Sequence, residues 1–154
     1  MGEESQSADI VAPLGVEFPF SVELKNHEGF TFENYLMCNK EIPSFWNQCI
    51  GDARRVNKLP MLITHRNRST ILVTVPYASF VKHKLSLGNA HWAITEMQVT
   101  NPLSEQLEKF NVISCPLEEF FNTFKLEELT KEVAKGTFSH WDRYQNQEEL
   151  GNDN

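Results

Sequence analysis

The 154 residues contain only three cysteines, Cys38, Cys49 and Cys115. An odd number with no C-x-x-C spacing argues against a disulfide framework or a zinc knuckle and for reduced thiols. Long hydrophobic runs are missing as well. A stretch such as ILVTV at 71–75 falls far short of the roughly 20 apolar residues a membrane span needs, so no membrane partner is expected. The opening MGEESQSADI lacks the basic-then-apolar layout of an export signal, which places the chain in the cytoplasm. No G-x-S-x-G elbow, distinctively placed cysteine or glycine-rich phosphate loop occurs, which disfavours a serine or cysteine hydrolase. His27, His65, His83, His91 and His140 show no H-x-x-x-H spacing, so no zinc site is assigned. Positive charge is also scarce, with 14 basic against 21 acidic residues and a net charge of -7. Such a balance ordinarily speaks against phosphate binding.

The average conceals a distribution. Residues 51–85 carry 7 basic side chains and 1 acidic, whereas residues 1–50 carry 2 and 8, and residues 101–154 carry 5 and 11. A basic block between acidic flanks is compatible with a local phosphate-binding face, and equally with a solvated surface. The length suits one domain with one ordinary core.

Along the chain, ADIVAP at 8–13 reads as a short strand. Pro13 and Gly15 then separate it from FPFSVELK at 18–25, in which apolar and polar residues alternate. The period of two sends Glu23 and Lys25 to one face and Phe20, Val22 and Leu24 to the other. Residues 30–40 suggest a short strand entering a helix. From Ile42 the spacing becomes helical, with Pro43 in the first turn and Phe45, Trp46, Cys49, Ile50, Ala53 and Val56 recurring every three or four residues. PMLITH at 60–65 and TILVTVP at 70–76 predict a β-hairpin around RNRS. A short helix over 77–85, strands over 91–100 and 110–116, and one amphipathic helix over 117–135 complete an α/β pattern.

Asp9, Glu23 and Lys25 form the one set with obvious chemistry. Phosphodiester hydrolysis needs a divalent cation to neutralise phosphate and acidify an attacking water, and two carboxylates on adjacent strands can hold one. Lys25 lies on Glu23's face about 6 to 7 Å further along, with the backbone carbonyl of Leu24 between them as a further oxygen ligand. An E-x-K pair alone is commonplace, and on an exposed strand it is an ion pair worth at most about 1 kcal/mol.

Context gives the set its meaning. MGEESQSADIVAP, FPFSVELKNHEGF and FWNQCIGDARRVNKLPMLITHRNRSTILV together resemble the PD-(D/E)xK nuclease superfamily, and within it phage and prophage endonucleases similar to archaeal-type Holliday junction resolvases. The motifs span roughly residues 1–80. The resemblance implies a restriction-endonuclease-like α/β fold, a mixed central sheet flanked by helices. With eight residues before Asp9, the usual N-terminal helix and first strand are expected to be lacking, and Ala8 replaces the customary Pro or Gly. Residues 1–135 would form a single domain, with a motif core at 1–85, C-terminal strands and helix at 86–135, and a polar flexible tail at 136–154.

By the same resemblance Asp9, Glu23 and the Leu24 carbonyl would bind Mg²⁺ or Mn²⁺, and Lys25 would be the catalytic lysine. Gln48, in WNQ, would stand beside the site, or else be a polar neighbour of the core. Ser7, with Ser5, would donate to a phosphate or simply form a turn. Arg54, Arg55, Lys58, Arg66 and Arg68 would track a DNA backbone, or else cap a solvated helix end. DNA, possibly branched, is the implied partner, and a homodimer in a bacterial or phage-infected cytoplasm the implied assembly. The competing reading is a catalytically inactive module of the same fold that binds DNA or protein.

Overall fold

The computed structural model describes residues 18–26, 32–37, 41–65, 70–77, 91–136 and 138–144. Five strands, β1 (Phe20–Asn26), β2 (Leu59–His65), β3 (Leu72–Pro76), β4 (Ala93–Thr100) and β5 (Leu107–Pro116), form one sheet in the order β1-β2-β3-β5-β4. Among the described residues only β1 and β2 pair in parallel, Phe20 opposite Leu59 and Asn26 opposite His65; the other three pairings are antiparallel. A parallel neighbour requires a crossover. The described part of the crossover holds α1 (Phe32–Met37) and α2 (Ile42–Val56).

Helix α2 follows its sequence closely. Pro43 fits the first turn, where its missing N–H leaves no bond unmade. Ile42, Trp46, Cys49, Ile50 and Ala53 fall on one stripe and are all buried. Asn57 ends the helix in the left-handed conformation, φ 54° and ψ 49°, and its N–H bonds the Ala53 carbonyl. The apolar stripe packs on Leu62, Met97, Val99, Phe110 and Val112 of the sheet.

The opposite sheet face is covered by α3 (Leu117–Thr123) and α4 (Leu126–Ala134), through Phe120, Phe124 and Leu129 against Phe20, Val22, Met61 and Val75. The sequence suggests one helix over this stretch; the structure has two. Phe124 adopts an extended backbone and buries its ring 5.1 Å from Phe120 and 5.6 Å from Trp92. Continuing the helix would forgo that aromatic packing.

The other expectations divide. The strand at 18–25 and the hairpin at 60–76 are present, and β5 is longer than expected. Residues 32–37 are helical, while the expected strand at ADIVAP, most of the 77–85 segment and Asp9 lie outside the described residues. The flexible tail expected from residue 136 needs correcting over 138–144. Phe138 and Asp142 are buried there, and Ser139–Trp141 forms a 3-10 turn packed on both cores.

Cys49 and Cys115 are buried thiols, not paired in a disulfide. Burial, reinforced by the negative charge of Glu119, pushes the Cys115 thiol up to about 12. Thiolate is the reactive species, so Cys115 in folded protein should stay unalkylated by iodoacetamide at pH 8 and be labelled only after denaturation. Mass analysis of the peptide containing Cys115 reads this directly.

Candidate active site

Strand β1 carries Ser21, Glu23 and Lys25 on the face turned to α2, the reverse side to Phe20 and Val22. Glu23 is 3% exposed and its Oε1 lies 3.1 Å from the Lys25 ammonium, whose side chain is 25% exposed. The ammonium also sits 5.4 Å from the centroid of the Phe45 ring, on the first turns of α2. Hence the N-terminal part of α2 lies over the C-terminal end of β1, and the pair opens to solvent through the lysine rather than the carboxylate.

A buried carboxylate needs partners to offset its lost hydration. Around this one the sheet face is unusually polar. Thr64 of β2 stands across from Lys25, and on the same face Thr74 and Ser114, in the row of Glu23 and Leu62, bond each other at 2.7 Å. The buried hydroxyls of Ser21 and Thr64 have no hydrogen-bond partner among the described residues.

The remaining sequence candidates scatter. The Leu24 side chain points the other way and is 44% exposed, while its backbone carbonyl, the candidate ligand, stays on β1 between Glu23 and Lys25. Gln48 is exposed on the outer side of α2, where it lines an open cleft with Ser44, Asn47, Arg55, Asn101 and Leu103. Arg55 is exposed and paired with Asp52, and Lys58 follows the helix end. Both lie just before the start of β2, whereas Lys25 and Thr64 lie near its end. The seven-residue strand puts about 20 Å between them. Asp9, Ser7, Arg66 and Arg68 lie outside the described residues, the last two following in sequence just after β2 ends at His65. Among the described residues no three His, Cys, Asp or Glu side chains cluster as metal ligands.

Arg54 has a separate role. Its Nε and Nη2 donate to Asp142 at 2.6 and 2.9 Å, and its Nη1 and Nη2 to Glu108 at 3.1 and 3.0 Å. Both carboxylates are buried. Burial by itself would lower the guanidinium pKa, but the two carboxylates outweigh it and hold the group even more firmly protonated than usual. This residue ties α2 to β5 and to the 138–144 segment. Sequence pattern had no means of pairing residues so far apart in the chain; the only hint was an isolated acid, Asp142, in the aromatic run from Phe138 to Tyr144.

Thr64, Ser21 and Phe45 belong to this neighbourhood and were not singled out by sequence. In PMLITH the threonine reads as one more β-branched strand residue, and only its register opposite Lys25 sets it apart.

Residues 1–131 match the model of the family described as phage putative PDDEXK endonuclease. No curated protein and no solved structure matches the chain.

Proposed function

The chain belongs to the phage PDDEXK endonuclease family, and from that membership we propose that it is a divalent-metal-dependent DNA endonuclease whose site is built around Glu23 and Lys25. The observation that carries this reading is the buried Glu23 carboxylate, 3.1 Å from the Lys25 ammonium on the α2 face of β1. Oxygen donors from Glu23, the Leu24 carbonyl and Asp9 make the hard ligand set that Mg²⁺ or Mn²⁺ takes. The unpartnered hydroxyls of Ser21 and Thr64 support the fit, since they make this sheet face more polar than packing alone would favour.

When bound, the cation supplies neutralisation of the scissile phosphate and a more acidic water. The residues do the rest. Glu23 brings negative charge to a place shielded from bulk water, and Lys25 puts a cation where charge builds on the phosphate oxygens. The Phe45 ring faces the lysine ammonium from the helix side. Arg66 and Arg68, following β2 in sequence, would contact phosphates near the cut. Arg55 and Lys58, about 20 Å away, would reach phosphates roughly six nucleotides further along a strand. By its motifs the chain resembles Holliday junction resolvases, which supports branched DNA as substrate and a homodimer as the working form.

Purified protein incubated with a four-way junction and with linear duplex should cleave the junction in Mg²⁺ or Mn²⁺, leave 5′-phosphate ends, and stop when EDTA is added. Cleavage of linear duplex alone would remove the junction preference. If neither substrate is cut with either ion, the enzyme reading is lost and the inactive DNA-binding module takes its place.

A further inference from the structure

Thr64 pairs with Lys25 in the parallel register of β1 and β2, and the pleat turns both side chains to the α2 side of the sheet. It is 1% exposed, and its hydroxyl has no hydrogen-bond partner among the described residues. On the same face Thr74 and Ser114 satisfy one another, so the polarity of that face does not by itself leave Thr64 unmet. A buried hydroxyl without a partner carries its desolvation penalty in full, and Val would fill the same space without it.

The neighbour explains what the hydroxyl is for. The Lys25 ammonium has three donors and no acceptor, and its ionic partner is Glu23. A divalent cation on Glu23 takes that carboxylate and repels the ammonium at the same time. Lysine then needs a neutral acceptor close by, or its flexible stem carries it into solvent. Strands about 4.8 Å apart put the Thr64 backbone beside that of Lys25, with both side chains on one face.

We propose that Thr64 is a positioning residue whose hydroxyl accepts the Lys25 ammonium when a divalent cation occupies Glu23, keeping the lysine within the site. The kinetic consequence rests on the nuclease reading above; the binding consequence does not, because expelling the ammonium opposes cation binding whether or not cleavage follows. No bond is made or broken and no proton changes hands in this step.

Full-length wild type, Thr64→Val and Thr64→Ser are compared by cation-free melting, by titration with MnCl₂ followed calorimetrically, and by DNA cleavage. Thr64→Val is expected to melt no lower than wild type, to bind Mn²⁺ about tenfold more weakly, and to cleave about tenfold more slowly or worse. Thr64→Ser retains the hydroxyl and should stay within about threefold of wild type in both. Should Thr64→Val fail to fold, Thr64→Ala makes the same comparison. Equal Mn²⁺ affinity in wild type and Thr64→Val overturns the proposal, as does a wild type that binds no Mn²⁺. A wild type that cuts no DNA while Thr64→Val still loses Mn²⁺ affinity removes the nuclease reading and supports the role of Thr64.

Discussion

Replacing Glu23 by glutamine is expected to reduce DNA cleavage by a factor on the order of a thousand while leaving the melting temperature at or above that of the wild type. The two effects separate because the carboxylate is buried. At 3% exposure and with Lys25 as its ion-pair partner at 3.1 Å, Glu23 is a poor contributor to stability, since a neutral isostere needs less solvation. In the proposed reaction the same group supplies ligand charge that an amide lacks, and losing one preorganised electrostatic partner of the transition state typically lowers rates about 10²- to 10³-fold. Lys25→Met keeps an unbranched stem of similar length and removes the charge, with its contact to the Phe45 ring. It should lower cleavage by about the same factor yet bind Mn²⁺ at least as tightly as wild type, because the competing ammonium is gone. Calorimetric titration distinguishes the pair: Glu23→Gln loses cation affinity and Lys25→Met does not. Cleavage by Glu23→Gln within about tenfold of wild type would remove Glu23 from the proposed site, since that is below the range for such a partner.

The parts of this fold that were legible in sequence are those set by local period. The stripe from Ile42 to Val56 and the apolar runs on either side of RNRS each specify an element without reference to the rest of the chain, and each forms where its pattern puts it. The alternation in FPFSVELK also fixes which way Glu23 and Lys25 face. What it does not contain is the partner of that strand. The pairing of β1 with β2 spans a crossover, and nothing local encodes the register that sets Lys25 against Thr64. The helix break at Phe124 was hidden for a related reason: the residue's period suits a helix, and tertiary packing on Phe120 and Trp92 overrides it.

Charge was the least legible property. Arg54 and Arg55 are adjacent and look alike as bases at a helix end, but the helix points them about 100° apart. Arg54 turns to Glu108 and Asp142, while Arg55 stays exposed beside Asp52. Among the described residues, therefore, Arg55 and Lys58 are better suited to meet a phosphate than Arg54, whose donors are already committed.

That commitment predicts the largest stability change. Arg54→Met is expected to destabilise the fold by about 3–5 kcal/mol, because it leaves two buried carboxylates, Glu108 and Asp142, without the cation they share. Against a total of about 5–15 kcal/mol this is a large fraction, and for a chain of this size it lowers Tm by on the order of 10 °C. The guanidinium side chain is 18% exposed, so this is not a solvent-screened surface pair. The pH dependence has a definite sign. A group whose pKa is raised on folding contributes fully below its unfolded value, and for arginine that value lies far above neutrality, so the Arg54 contribution should stay constant from pH 6 to 9. Adding Glu108→Gln and Asp142→Asn to Arg54→Met should recover much of the loss, since no unpaired charge then remains in the interior. The damage should also be local to begin with. Asp142 anchors the segment that places Tyr144, whose hydroxyl accepts the Lys109 N–H at 2.8 Å, so amides of 138–144 and Lys109 should lose hydrogen-exchange protection before those of β1 and β2. If Arg54→Met melts within about 2 °C of wild type, under 1 kcal/mol for this size, the tie does not hold the C-terminal segment to α2.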